Sequence, residues 1–235
     1  MPRRALNRPS LTQLTADSII SLVQDQGLRE GDPIPSAAEM AEELGVSRTV
    51  IREAVAELSG QGLLKRQQGS QSVISVPGST QLERLMRLRF AVRGHDLEQV
   101  QEIRESIEVA AARLAAERAT DEEIQGIRRK MEALRAATDV GTLYRADVEF
   151  HREVVGAAHN DVMEMLVDAL SPLLDKLLRQ VWQGWVKNGE VGVHELVESH
   201  AAIVECIAVH DGNGAAEAMR DNLGKGLLGF QANVV

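Results

Sequence analysis

Two arginines four residues apart, Arg48 and Arg52, stand in segment 45–55, which reads GVSRTVIREAV. Residues four apart share one face of a helix. The planar guanidinium fork can donate to two acceptors on a guanine edge in the major groove, so this face suits the reading of DNA bases. The alternative is a solvated face on which the arginines pair with Glu53 or Glu57.

The other residues of the segment fit a helix that is held from its opposite side. Val50, Val55 and Leu58 are expected to supply the core side. Ser47 and Thr49 lie at the helix start, where hydroxyls and free backbone N–H groups suit phosphates.

An aspartate and two histidines fall on the apolar faces of two further predicted helices. At 100° per residue, Asp147 and His151 lie in the middle of the apolar face of segment 143–155, and His200 lies at the centre of that of segment 193–208. Burying such groups unpaired is costly, whereas together they suit zinc or a similar divalent ion. A buried Asp–His hydrogen bond without metal is the alternative.

A charged pair interrupts another face of small apolar residues. In segment 97–117, Arg104 and Glu108 share one face with alanines and Val100. Spacing alone leaves two interpretations open. The arginine either pairs with Glu108 or offers its fork to the carboxylate of a ligand.

The amino-acid composition limits the classes of protein to which the chain can belong. Hydrophobic residues make up 44% of the 235-residue chain and aromatic residues only 3%, which favours a mainly helical protein. No apolar run is long enough for a membrane span, and no secretory signal is recognisable. The one cysteine, Cys206, excludes an intrachain disulfide framework and predicts a cytoplasmic protein.

The net charge of −9 is unevenly distributed. Residues 1–78 hold 8 Lys and Arg against 9 Asp and Glu, so most of the negative charge lies further along the chain. A nearly neutral segment with clustered arginines can bind phosphates although the whole chain is acidic.

The first third of the chain predicts a winged helix-turn-helix domain over residues 11–76, preceded by a flexible basic segment, 1–10. A helix over 11–26 ends at Gly27. Ser36 with Glu39 forms the capping box of a second helix. A third helix starts at Ser47, and two β-prone runs around a glycine-containing turn then predict a hairpin.

Residues 77–81 are the predicted linker, and residues 82–235 are predicted to form an all-helical domain of six or seven helices. Capping boxes at 96–99 and 120–123, with weaker signals at Asp139 and Asn160, mark helix starts. Breaks are predicted at Gly184, at Gly189 and within 210–214. The fold class is therefore mainly α, with a small β-hairpin wing.

The run IPSAAEMAEELGVSRTVIREAVAELSGQGLLKRQQGSQSVIS, residues 34–75, resembles the DNA-binding domain of GntR-type bacterial transcription regulators. The resemblance implies that Arg48 and Arg52 read the major groove. It also implies that the wing tip, Gln68 and Gly69, contacts the minor groove. Ser47, Thr49 and Ser36 complete the expected DNA contacts. Ala38 departs from the family pattern, which often has an arginine there.

The remainder resembles the effector domain of the FadR branch of that family, the FCD domain. In that domain an Asp and three His commonly hold a divalent metal, for which zinc, nickel or manganese is expected. Asp147, His151 and His200 match three of these positions. The fourth falls on Asn222, whose amide is a weak ligand for zinc.

The same resemblance implies a small organic acid bound between the metal and Arg104. Glu108 and Tyr144 are counted with Arg104 as expected effector contacts. It also implies a homodimer that binds a palindromic operator in double-stranded DNA.

These observations predict a DNA-binding transcription regulator that responds to a small carboxylate. A regulator with a metal-free or vestigial pocket is the alternative, because of Asn222. A metalloenzyme is the remote alternative, since two histidines and a carboxylate can also hold catalytic iron. No separate general base, nucleophile motif or phosphate loop supports an enzyme.

Overall fold

The computed structural model describes residues 9–66, 71–93, 97–187 and 189–234. The chain divides into two compact units, Met1–Gln81 and Leu82–Val235. Each unit has its own apolar core.

The N-terminal unit has the predicted order of three helices and a hairpin. Its elements are α1 Leu11–Asp25, α2 Ala37–Glu43, α3 Arg48–Gly60, β1 Leu64–Lys65 and β2 Val73–Ile74. The strands pair antiparallel, with Leu64 opposite Ile74 and Lys65 opposite Val73. This is a helix-turn-helix followed by a small wing, and it confirms the predicted fold class for this part of the chain.

Local side-chain chemistry sets the bounds of α2 and α3. Ser36 caps α2, and the reciprocal bond from its own N–H to the Glu39 carboxylate, 2.7 Å, completes the predicted capping box. Ser47 caps α3 through the Val50 N–H. Between the two helices Gly45 has φ +64°, a left-handed conformation that glycine adopts without strain.

The C-terminal unit is helical, and its elements follow one another with short connections. They are α4 Ser79–Arg93, α5 Leu97–Arg118, α6 Asp121–Arg135, α7 Val140–Gly156, α8 Asp161–Lys187, α9 Glu190–Ala208 and α10 Gly212–Val234. Thr120 and Asp139 are the N-caps of α6 and α7, as predicted. Asp96, which opens the capping box predicted at 96–99, lies outside the described residues.

Two sequence predictions were wrong. Gly184 does not break a helix but lies buried inside α8, where the tertiary packing overrides its low helix propensity. Residues 79–81, predicted as linker, form the first turn of α4.

A cluster of buried apolar residues joins all the helices from α5 to α10. Its largest fully buried side chains include Trp182 and Phe150. Several polar residues are nevertheless buried in this unit, among them Arg104, Glu108, Asp147, His151, His200 and Asn222. Buried polar groups need partners, so the contacts of these residues indicate where a binding site lies.

Candidate functional site

The α3 helix presents its two arginines to solvent. Arg48 and Arg52 are exposed, and neither forms an ion pair or a hydrogen bond with another described residue. Glu53, one of the proposed partners, instead accepts a hydrogen bond from the Thr12 hydroxyl at 3.1 Å. The paired alternative is therefore not observed, and both guanidinium groups are available to a ligand.

The opposite side of α3 is anchored in the core of the N-terminal unit. Ile51 and Ala54 are completely buried there, with Val55 and Leu58 beside them. Val50, predicted as a core residue, is only half-buried. The reason is angular, because Val50 lies 100° round the helix from Ile51, at the edge of the apolar stripe.

The remaining predicted DNA contacts surround the start of α3. Ser47 and Thr49 are exposed, and the Ser47 hydroxyl oxygen accepts from the Val50 N–H at 3.3 Å. Its hydroxyl hydrogen remains available to a phosphate. The Ser36 hydroxyl accepts from the Glu39 N–H at 3.3 Å and caps α2. Ala38 is exposed on α2.

The wing can be described only at its base. Lys65 and Arg66 are exposed where β1 ends, which adds positive charge to the start of the wing. The predicted tip residues, Gln68 and Gly69, lie outside the described residues.

Asp147, His151 and His200 converge inside the C-terminal unit. One ligand atom from each lies within 4.8 Å of the others, and all three residues are buried. Asp147 and His151 come from successive turns of α7, and His200 comes from α9. His200 Nε2 lies 3.1 Å from Asp147 Oδ1, and His151 Nε2 lies 3.8 Å from the same oxygen.

Each histidine has an oxygen atom close to its other ring nitrogen. His151 Nδ1 lies 2.5 Å from Glu108 Oε2, and His200 Nδ1 lies 2.9 Å from the carbonyl oxygen of Leu196. Histidines that bind metals typically donate Nδ1–H to a carboxylate or carbonyl in this way, which leaves Nε2 for the ion. Both Nε2 atoms face Asp147 Oδ1, so the donor set fits a divalent ion.

The charges of the site keep its carboxylates ionised. Burial raises the pKa of Asp147, but the His200 hydrogen bond and the nearby His151 outweigh this effect and bring the pKa to about 2. Burial likewise raises the pKa of Glu108, and Arg104 and His151 lower it to about 2. Deprotonated carboxylates are the form that metals bind.

Arg104 is paired with Glu108 and also has atoms free for a ligand, so both interpretations of its role that the sequence left open agree with the structure. Its Nε lies 2.6 Å from Glu108 Oε1, so the predicted pair exists and is buried. Burial lowers the pKa of Arg104, while Glu108 and Asp147 raise it by more, so the guanidinium stays charged. Its two terminal nitrogens have no hydrogen-bond partner among the described residues, and Arg104 lines a cavity beside Asp147.

This cavity has a polar end and an apolar wall. Its polar lining is Gln101, Arg104, Asp147, His151 and Asn222, and its apolar lining is Leu178, Val181, Trp182, Leu196 and Leu223. The cavity is small, with about 20 Å³ of space for the centre of a water molecule. That space holds about one or two waters, so an ion and a few ligand atoms would fill it.

Tyr144 is not brought to this cavity. Its ring lies 4.3 Å from the guanidinium carbon of Arg179. Burial and a hydrogen bond with Asp175 raise its pKa to about 12. Tyr144 is absent from the described lining, because it lies 60° round α7 from Asp147 and faces α8 instead.

Two residues of the site were missed by sequence reasoning. Gln101 is 5% exposed, lines the cavity and has no hydrogen-bond partner among the described residues. Its position one turn before Arg104 was the available signal. Ser199 bonds to Asn222, and no pattern in the sequence indicates that contact.

Comparison with known proteins agrees with this architecture. Residues 11–74 match the family described as bacterial regulatory proteins, gntR family, and residues 99–225 match the FCD domain. The chain therefore belongs to the GntR family of bacterial regulatory proteins, with an FCD domain as its C-terminal part. Its members bind DNA and regulate transcription, and the matched domains and relatives indicate a transcription regulator.

Individual relatives support the same class. The HTH-type transcriptional regulator LutR of Bacillus subtilis (strain 168) is 28% identical, over 86% of this chain and 93% of its own length. The HTH-type transcriptional repressor NanR of Enterobacter sp. (strain 638) is 29% identical, over 94% and 85%. The structure of Streptococcus agalactiae GntR superposes with a TM-score of 0.66 at 25% identity, over 92% of this chain and 98% of its own.

Within the described part of the chain, no helix combines the length and the apolar character needed to cross a membrane.

Proposed function

We propose that this transcription regulator binds its operator with an affinity that depends on a small organic acid and a divalent metal in the C-terminal unit. The observation that carries the proposal is the convergence of Asp147, His151 and His200 beside the charged Arg104. Zinc is the expected ion, with nickel or manganese as other candidates.

Charge balance supports an ion and an acid together. Arg104 carries one positive charge, and Glu108 and Asp147 carry one negative charge each, so the buried cluster has a net charge of −1 with neutral histidines. A divalent ion would make the cluster +1, and one carboxylate would then neutralise it. Isolated buried charge is costly, so this pairing favours a monocarboxylate next to the ion.

The side chains of the cavity have distinct parts in holding the acid. The free terminal nitrogens of Arg104 would bind one carboxylate edge, and the Gln101 amide would bind a further oxygen. The ion would supply a Lewis-acid contact to an oxygen of the acid. The apolar wall and the small free volume favour an acid of a few carbon atoms.

At the DNA, we propose that Arg48 and Arg52 read base edges in the major groove while Ser47 and Thr49 contact phosphates. Ser36 would contact the backbone, and the wing tip at Gln68 and Gly69 would enter the minor groove. The exposure of both arginines and the burial of the other side of α3 support this assignment.

We further propose a homodimer that places two α3 helices on a palindromic operator in the cytoplasm, where bacterial DNA is found. The acid can change operator affinity only if the dimer adopts two arrangements of its DNA-binding units. The acid must also bind more tightly to the dimer in one arrangement than in the other.

A second candidate is a regulator whose pocket works without metal. The observation that favours it is the 3.1 Å contact between His200 Nε2 and Asp147 Oδ1, which can be a hydrogen bond without any ion. In that case the same cavity would bind the acid through Arg104 and Gln101 alone.

Elemental analysis of protein purified without a metal-affinity tag separates the two candidates. The proposal predicts about one divalent ion per chain, and its loss in His200→Ala. His159→Ala is the matched control, because His159 is an exposed histidine paired with Glu123 at 2.8 Å. Metal-free wild-type protein that is not stabilised thermally by any added ion would favour the second candidate.

A further inference from the structure

Glu53 is an exposed carboxylate on the side of α3 that faces away from the core, and it directly follows Arg52 in the chain. The buried residues of α3 are Ile51, Ala54, Val55 and Leu58. At 100° per residue, Glu53 lies about 30° from the direction opposite the mean of these four, whereas Arg52 lies about 70° from it. Glu53 therefore belongs to the same outward face as the arginine and lies nearer to its centre.

One oxygen of this carboxylate is held and the other is free. Glu53 Oε2 accepts a hydrogen bond from the hydroxyl of Thr12, in the first turn of α1, at 3.1 Å. Glu53 Oε1 has no hydrogen-bond partner, and the carboxylate forms no ion pair, with any residue that the structure describes. Because the contact joins two helices, it restricts the rotamers that the glutamate can adopt. Glu53 thus presents an unneutralised negative charge in a defined orientation.

A negative charge at this place is unfavourable for binding DNA in general. Phosphates repel it, and the guanine edge and thymine O4 offer only acceptors, to which a carboxylate cannot donate. What a carboxylate can bind in the major groove is the amino group of a base, and its usual partner there is cytosine N4. Glu53 would therefore favour sequences that place a cytosine opposite it and disfavour the others.

We infer that Glu53 is a specificity-determining residue that accepts a hydrogen bond from the amino group of a cytosine, and that Thr12 positions it. The inference rests on the proposed function, since it requires α3 in the major groove. It adds an acceptor to a reading face whose arginines, Arg48 and Arg52, donate to guanine. The structural alternative is that the contact with Thr12 only holds α1 against α3.

Selection from a double-stranded DNA library of random sequence tests the assignment without a known operator. Full-length wild type and each variant are incubated with the library, and sequencing of the bound DNA gives the base preference at every position. Glu53→Ala and Glu53→Gln change the carboxylate, whereas Thr12→Val removes the hydroxyl and Thr12→Ser keeps it. Circular dichroism and thermal unfolding verify that each variant is folded.

Two further variants separate the possible causes. Arg52→Ala tests whether this face of α3 reads DNA at all. Glu57→Gln is the matched control, because it removes a carboxylate from the same helix, one turn further along, where Glu57 accepts from the Gln61 amide at 3.5 Å. It should leave every base preference unchanged.

We expect the wild type to select cytosine at a fixed position of its site. Glu53→Ala should reduce that preference by about fivefold or more, as a mismatched base pair does. Glu53→Gln should shift it towards adenine, whose N6 and N7 an amide can bind. Thr12→Val should weaken the preference by a smaller factor, and Thr12→Ser should retain it. Affinity for unselected DNA should not fall in Glu53→Ala, because the substitution removes a charge that phosphates repel.

Several results would overturn the inference. One is an unchanged base preference in Glu53→Ala, and another is a loss spread over all positions with weaker binding to unselected DNA, as the structural alternative predicts. Equal losses in Thr12→Ser and Thr12→Val would remove the positioning role of the hydroxyl. The same relaxation in Glu57→Gln would assign the effect to charge in general.

Failure of the proposed function gives a different pattern. If Arg52→Ala also leaves the preference unchanged, or if the wild type selects no sequence, the reading face itself is wrong and the inference fails with it. A preference that changes in Arg52→Ala but not in Glu53→Ala would leave the reading face in place and remove only Glu53 from it.

Discussion

The side chains that carry chemistry in this regulator are held in two different ways. Arg48 and Arg52 are exposed and unpaired, so DNA would meet them without breaking contacts inside the protein. Arg104, in contrast, is buried against Glu108, and only its terminal nitrogens are left for a ligand. Substitutions of these two groups should therefore have different effects on folding.

We predict that Arg48→Ala and Arg52→Ala each weaken binding to the operator by about 1–3 kcal/mol and relax base preference, because each removes a contact to a base edge. Thermal stability should stay near that of the wild type, since neither side chain has an intramolecular partner among the described residues. Fluorescence anisotropy with labelled operator measures the change.

The control is Arg113→Ala, which removes an exposed arginine from α5 that is paired with Glu117 at 3.2 Å. It should leave DNA affinity unchanged. Operator affinity that survives both α3 substitutions would show that a different face of the unit reads DNA.

For single residues, the sequence predicted which side chains are buried better than it predicted which side chains they contact. Helical periodicity placed Asp147, His151 and His200 on apolar faces, and all three are buried together. The spacing of Arg104 and Glu108 predicted their pair. It did not predict that Glu108 also contacts His151, because these two residues lie on different helices and are 43 positions apart in the chain. Contacts between helices depend on tertiary packing, which periodicity does not encode.

Among the elements, the turn between α2 and α3 is the most tightly specified by the sequence. Ser36, Gly45 and Ser47 have the residue types that a capping box, a left-handed turn and an N-cap require, and all three adopt these conformations. Such signals are local, so a single sequence is enough to recognise them. In contrast, Gly184 suggested a break that the buried packing of α8 overrides.

We predict that Gly45→Ala destabilises the N-terminal unit by about 1–2 kcal/mol, because a side chain at φ +64° is strained even where there is space for it. Chemical denaturation monitored by circular dichroism measures the loss.

Gly60→Ala is the matched control for this turn. Gly60 is helical, and an added Cβ would meet nothing within 4 Å, so the change should be neutral or stabilising by up to about 1 kcal/mol. Equal effects of the two substitutions would mean that backbone conformation at Gly45 is not what sets the turn.

At the scale of the whole molecule, α4 carries an apolar stripe that its own unit leaves uncovered. Leu85, Leu88 and Val92 lie on one face of the helix and are 66%, 63% and 77% exposed. The stripe is a candidate surface for the second copy in the proposed homodimer, because a dimer of this regulator must join two chains outside their DNA-reading helices.

We predict that the double substitution Leu85→Glu and Leu88→Glu shifts the protein from dimer to monomer in light scattering after size exclusion. It should also weaken operator binding, since a monomer engages only one half-site. Val162→Glu, at another exposed apolar residue on α8, is the control and should leave the dimer intact. A double variant that remains dimeric would assign the interface to a different surface.

The measurement that tests the account most directly is operator affinity with and without zinc and a panel of small carboxylates, in the wild type and in Arg104→Lys. The lysine keeps the charge beside Glu108 but loses the planar fork. The account predicts at least a fivefold change in affinity with one of the acids in the wild type, and a much smaller change in the variant. Affinity that no acid and no chelator alters, or an equal response in Arg104→Lys, would contradict the claim that this cavity controls DNA binding.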